Sequence, residues 1–208
     1  MNHRFVILAI TLLAPLLAAP VSSAALAEQP ATATEARSDE DLDSWIAGLA
    51  EPGDGHEVLE ALVGTWEGKG SIWDSPESDP IPITATVERH WVLGGRFLRE
   101  EISVHSEDGE VFEALGFIGF NNEAAQYELL TIDNTSTAML LETGKFHPDS
   151  KKLMIRGSFR DPATGFVIDR RVEMDLSKEG RISVVGYTTN EEGREFKSLE
   201  GAVARLKK

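Results

Sequence analysis

From Gly64 to Arg205 the chain repeats one pattern, in which runs of about eight to eleven residues alternate in polarity between turn signals. Examples of those signals are Ser106-Glu107-Asp108-Gly109 and Asp161-Pro162-Ala163-Thr164-Gly165. Successive side chains on a strand point to opposite faces, so alternation means one buried face and one wet face, and short turns mean antiparallel neighbours. The pattern predicts strands over 65–73, 83–93, 96–105, 111–120, 127–133, 138–146, 152–160, 166–175, 181–188 and 196–205. Consecutive hairpins of this number close best into a single antiparallel up-and-down β-barrel, because an open sheet would leave two unpaired edges. A two-sheet sandwich is the competing arrangement. No long-period repeat is visible, which argues against propellers and solenoids.

The chain ahead of the barrel reads differently. Asn2, His3 and Arg4 precede an apolar run over 5–17, and Ala25-Leu26-Ala27 offers small residues for cleavage, so 1–27 is read as a secretory signal peptide. That run is shorter than the roughly 20 residues of a membrane span and contains Pro15, and no other segment approaches that length. The mature protein is therefore expected to be secreted, into a bacterial periplasm or beyond. Residues 28–38 hold no large apolar side chain and read as a flexible linker. Over 40–49, Leu42, Trp45, Ile46 and Leu49 fall at helical spacing behind Ser38 or Asp39 as cap, and Val58, Leu59, Leu62 and Val63 do the same over 56–63. Two short helices are thus expected, the first with its connection over 39–55 and the second opening the barrel domain over 56–208.

Composition narrows the function. There are 35 acidic residues against 20 Lys and Arg, a net charge of −15 that repels nucleic acid. The absence of cysteine excludes disulfides, thiol catalysis, thiolate metal sites and lipoprotein acylation. His56, His90, His105 and His147 show no metal-ligand spacing, and no nucleophile elbow, Walker loop or dinucleotide fingerprint occurs, so neither metal, cofactor nor catalytic set is expected.

Charged residues that share parity with apolar ones mark the candidate site. Arg89 shares a face with Ile83, Ala85, Val87, Trp91 and Leu93. Glu100 goes with Leu98, Ile102 and Val104, and Arg170 with Phe166, Ile168, Val172 and Met174. An unpaired charge inside a barrel costs several kcal/mol, so each needs a carboxylate, a ligand or trapped water. One reading is a structural pair of Arg89 with Glu100 from the next strand. Another is a cavity in which Arg89 and Arg170, with Tyr187 as hydroxyl donor and Trp91 and Glu100 nearby, hold the anionic end of a small apolar or amphipathic ligand. A bulge that reverses parity would undo both. Asp133-Asn134-Thr135-Ser136-Thr137 reads first as turn chemistry, with a glycosylation sequon at Asn134.

Gly64-Thr65-Trp66 after a short helix resembles the Gly-x-Trp signature of lipocalins and the wider calycin group. That resemblance implies a Trp66 packed at the closed barrel end under an Arg from the last strand, here Arg205. The chain is also similar, over nearly all of 56–206, to the bacterial family called domain of unknown function 1579. The stretches that carry this are Trp91-Val92-Leu93-Gly94-Gly95-Arg96-Phe97-Leu98, Gly116-Phe117-Ile118-Gly119-Phe120-Asn121, Ile132-Asp133-Asn134-Thr135-Ser136-Thr137 and the Asp161 to Gly165 turn. The family implies a calycin-like barrel and no settled activity. Nitrobindins, another ten-strand calycin branch, hold haem through a histidine near the C-terminus, and no histidine stands in the last strand here. The leading expectation is a ligand-binding barrel. Its alternatives are an isomerase or hydrolase using Glu100, Asp133 or His90, and a packed module that binds a cell-envelope partner.

Overall fold

The computed structural model describes residues 39–161 and 164–207. The expected leader and linker over 1–38 lie outside the described residues, as do Pro162 and Ala163 of the predicted turn. Helix α1 (Asp39–Ala50) falls in one compact unit, and the chain from Pro52 onward forms another. On α1 the stripe residues Leu42, Trp45 and Ile46 keep much of their surface exposed.

The second unit opens with α2 (Asp54–Glu60) and continues through ten strands. These are β1 (Gly64–Ile72), β2 (Ile81–Val92), β3 (Phe97–Ser106), β4 (Val111–Asn121), β5 (Gln126–Asp133), β6 (Leu140–His147), β7 (Lys152–Arg160), β8 (Val167–Lys178), β9 (Arg181–Thr189) and β10 (Glu195–Arg205). Each strand pairs antiparallel with its sequence neighbours, and β1 with β10, so the sheet is a closed up-and-down barrel with no free edge. No helix among the described residues is long and apolar enough to cross a membrane.

The differences from the expected strands have local causes. Strand β6 starts at Leu140 rather than Ala138 because the preceding residues are held by a turn, in which the Asp133 carboxylate accepts Thr135 and Ser136 backbone N–H groups. Strand β8 runs past Asp175 to Lys178 through a register shift that breaks the alternation on which its end was judged. Helix α2 begins two residues earlier than expected, since Gly53 and His56 cap it: the Gly53 N–H donates to His56 Nδ1 at 3.1 Å.

Two ends of the barrel follow from the topology. One carries α2 and the start of β1; the other carries the β1–β2, β3–β4, β5–β6, β7–β8 and β9–β10 hairpins. The fully buried side chains gather toward the first, where Leu59 and Leu62 from the helical segment join Trp66, Leu98, Ile118, Leu153 and Ile155. Gly55 lets α2 approach the wall, because a Cβ there would sit 2.3 Å from the Phe120 ring.

Candidate functional site

The helix end is sealed by apolar packing completed with polar contacts. Trp66 is 1% exposed and its indole Nε1 donates to the Leu62 carbonyl at 2.9 Å. Arg205, its register partner on β10, lies with its guanidinium 4.6 Å from the Trp66 ring centroid and donates to the Ala61 carbonyl at 3.0 Å. That contact places a cation on carbonyls left open at the end of α2. The Tyr127 hydroxyl donates to the Gly55 carbonyl at 3.0 Å, and burial pushes its pKa up to about 12. His56 meets Phe120 edge-on at 6.0 Å, and its pKa is lowered mainly by burial, with the Arg96 guanidinium adding to the effect. Trp91, expected beside a ligand, has its Nε1 bonded to the Glu60 carboxylate of α2 at 2.8 Å.

Inside the wall, Arg89 and Glu100 are direct register partners on β2 and β3 and form a buried ion pair through Arg89 Nε and Glu100 Oε2, each side chain 8% exposed. The second inward arginine is matched too: Arg170 Nη1 donates to Glu142 Oε2 at 2.9 Å, with Glu142 almost wholly buried and Arg170 29% exposed. These two residues stand on β8 and β6 and meet across β7, where Gly157 leaves the space; a Cβ there would lie 2.5 Å from Glu142 Cγ. Beside them Thr188 and Ser198 share a 2.7 Å hydroxyl contact. Neither pair exhausts its polar atoms. Arg89 Nη1, Glu142 Oε1 and, at the β3–β4 hairpin, Glu110 Oε2 are buried without a hydrogen-bond partner among the described residues.

Inward positions near the hairpin end behave unlike those near α2. Phe112, Thr131, Leu140 and Phe159 share the parity of buried wall residues, and Phe196 is the register partner of buried Thr188, yet each retains partial solvent exposure. The barrel is filled below and accessible above.

Tyr187 corrects the expected set. It is the register partner of Arg171, on the outer face, and the Arg171 guanidinium lies 3.9 Å over its ring. Arg171 also donates to both Glu195 carboxylate oxygens, at 3.1 and 2.8 Å, which holds the Glu195 pKa below the ordinary carboxylate value. Odd positions of β9 face out while Ile182, Gly186 and Thr188 are buried, so the hydroxyl cannot join Arg89 and Arg170. The three residues weighed for catalysis are not assembled either. Glu100 is locked to Arg89, His90 is exposed on the opposite face of β2, and Asp133 caps its own turn. Sequence reading missed Glu142, although it shares parity with Leu140, Gly144 and Phe146.

Among the described residues no cluster of His, Asp and Glu could hold a metal ion. A surface hollow of about 510 Å³ does exist, but its lining includes the outward Thr86, Glu88, Arg99 and Glu101, across the wall from the paired arginines.

The comparisons agree with the architecture. A model of the family described as "Protein of unknown function (DUF1579)" matches residues 51–205. Rv2717c from M. tuberculosis, a crystal structure, superposes with a TM-score of 0.57 at 17% identity, covering 76% of this chain and 100% of its own. The S-type phycobiliprotein lyase CPES from Guillardia theta does so with a TM-score of 0.57 at 11% identity, covering 74% of this chain and 93% of its own. At these identities the likeness is one of fold. No curated protein matches the chain.

Proposed function

The chain belongs to the DUF1579 family, and from the contrast between the two ends of its barrel we propose that it is a ligand-binding barrel that admits a small apolar or amphipathic molecule through the hairpin end. The observation that carries this reading is the set of inward side chains near the hairpins, which stay partly exposed, together with three buried polar atoms that lack partners among the described residues. A barrel packed throughout would bury the first group and satisfy the second. Polar groups that converge on an otherwise apolar lumen are the usual make-up of a small-molecule site. Arg89 and Glu100 belong to the lining in this reading, with Arg170 nearer the entrance. An anionic end, the first expectation for these arginines, would there compete with Glu100 and Glu142, which already hold them.

The same proposal includes export. It is supported by the basic start, the apolar run over 5–17 and the Ala25-Leu26-Ala27 ending, and predicts a mature N-terminus at Glu28.

Native mass spectrometry of the protein purified from its own host, followed by denaturing extraction, tests the first part. Stoichiometric release of a small molecule is expected. A bare protein mass under every growth condition, together with failure of an uncharged dye such as Nile red to bind, would rule the cavity reading out. Intact mass of the exported protein tests the cleavage site in the same experiment.

A further inference from the structure

The outside of the barrel wall is not uniform. Over 169–175 the outward residues of β8 are Asp169, Arg171, Glu173 and Asp175, and over 67–71 those of β1 are Glu67, Lys69 and Ser71. On β4, β5 and β6 the register instead sets Leu115 beside Ile132, Phe117 beside Leu130, and Leu130 beside Leu141. Met139, just ahead of β6, extends the patch, and Leu141 and Met139 are 70% and 69% exposed. Apolar surface that is continuous over three strands is costly in water and marks a face that something covers. We propose that a second copy of this chain covers it, in a dimer whose two-fold axis runs along β5. The interface lies on the outer face and stands whatever the lumen holds.

Charge selects this occupant. On the β2–β4 flank the outward charges are Glu88, Glu101 and Glu113 against Arg99 alone. Glu88 stands directly opposite Glu101, a like-charge pairing that weakens a sheet. On the β6–β7 flank they are Lys145, Lys152, Arg156 and Arg160, with no carboxylate among them. A two-fold axis in the contact plane along β5 returns β5 to itself, lays β4 on the partner's β6 and lays β3 on the partner's β7. The acidic flank of each copy then meets the basic flank of the other. A partner of one sign would match only one flank.

The levels along the strands agree as well. Glu101, Leu115 and Ile132 are register neighbours. Arg156 is opposite Thr143, itself opposite Glu128, so Arg160, four residues further along β7, comes level with Ile132. The axis therefore sets Phe117 against the partner's Leu141, Leu115 against the partner's Met139, and Glu101 against the partner's Arg160. The surface hollow of about 510 Å³, whose lining includes Glu88, Glu101, Glu113, Leu115 and Ile132, receives the protruding Met139 and Arg160 of the other copy. Glu128 falls on the axis too, with Oε1 taken by the Asn121 and Gln126 amides, so the contact centres away from it, on Leu130 and Ile132.

Sedimentation velocity of the exported protein at micromolar concentration tests the interface. A dimer is expected, and Leu141→Asp should give a monomer with an unchanged Tm. Glu101→Arg and Arg160→Glu should each weaken self-association by about tenfold or more, since each brings like charges together at both symmetry-related contacts. Mixed one to one, the two variants should recover a dimer, because each chain then offers the charge that the other needs. A protein that stays monomeric up to millimolar concentration, a dimer indifferent to Leu141→Asp, or a mixture no stronger than its separate variants overturns the two-fold interface.

Discussion

The two ends of this barrel are built from the same alternating strands and reach opposite results. At the helix end the polar groups that complete the seal have partners in the chain: Trp66 with Leu62, Arg205 with Ala61, Tyr127 with Gly55. At the hairpin end the inward set is more polar, the apolar members are half-buried, and carboxylate oxygens are left over. A fold of this kind is thus stabilised from one side. Under the proposed function, what the far side loses in packing it gains in freedom to bind, the exchange expected of a scaffold that positions a site without depending on it.

The largest effect should come from breaking the sealed end. Trp66→Ala removes the biggest fully buried side chain and is expected to cost about 3–5 kcal/mol, read as a lowered Tm in thermal unfolding. Arg205→Met should cost about 1 kcal/mol, since it loses one hydrogen bond to Ala61 and a ring contact at a side chain still open to water. A pH titration sharpens the point further. The folded-state pKa of His56 is lowered by burial, so the unfolded chain binds the extra proton more readily; stability is full above about 6.5 and falls as the pH drops through that value toward the folded pKa. Hydrogen exchange should then show α2 loosening first. The smallest change is expected at the other end: replacing Arg170 and Glu142 together by Met removes a pair as a unit and should shift stability by less than about 1 kcal/mol. A loss there as large as that of Trp66→Ala would mean that the two ends share the load.

The strands were legible because alternation and turn residues are local signals. Predicted and observed runs overlap for all ten strands, and for β7 the bounds coincide. Parity also put Arg89 beside Glu100, since neighbouring strands of a hairpin fix who faces whom. The same parity excludes Tyr187 from the lumen, since Ile182, Val184, Gly186 and Thr188 are the inward set of β9. The Glu142–Arg170 pair was out of reach. Its partners are two strands apart and meet over a glycine, a relation that no adjacent-strand rule predicts. Boundaries slipped where side chains rewrite the backbone, as with Asp133 before β6 and His56 at the start of α2.

The seam between β1 and β10 has a consequence for how the molecule assembles. Nine of the ten strand pairings join sequence neighbours and can zip as hairpins, while the tenth must bring Trp66 to Arg205 across almost the whole domain. Closing so long a loop is entropically the slow step, and until it happens the sheet curls with two bare edges. The residues that plug the base of the barrel are therefore also its clasp: a chain that lacks the last strand would expose the edges of β1 and β9 and tend to pair with other chains.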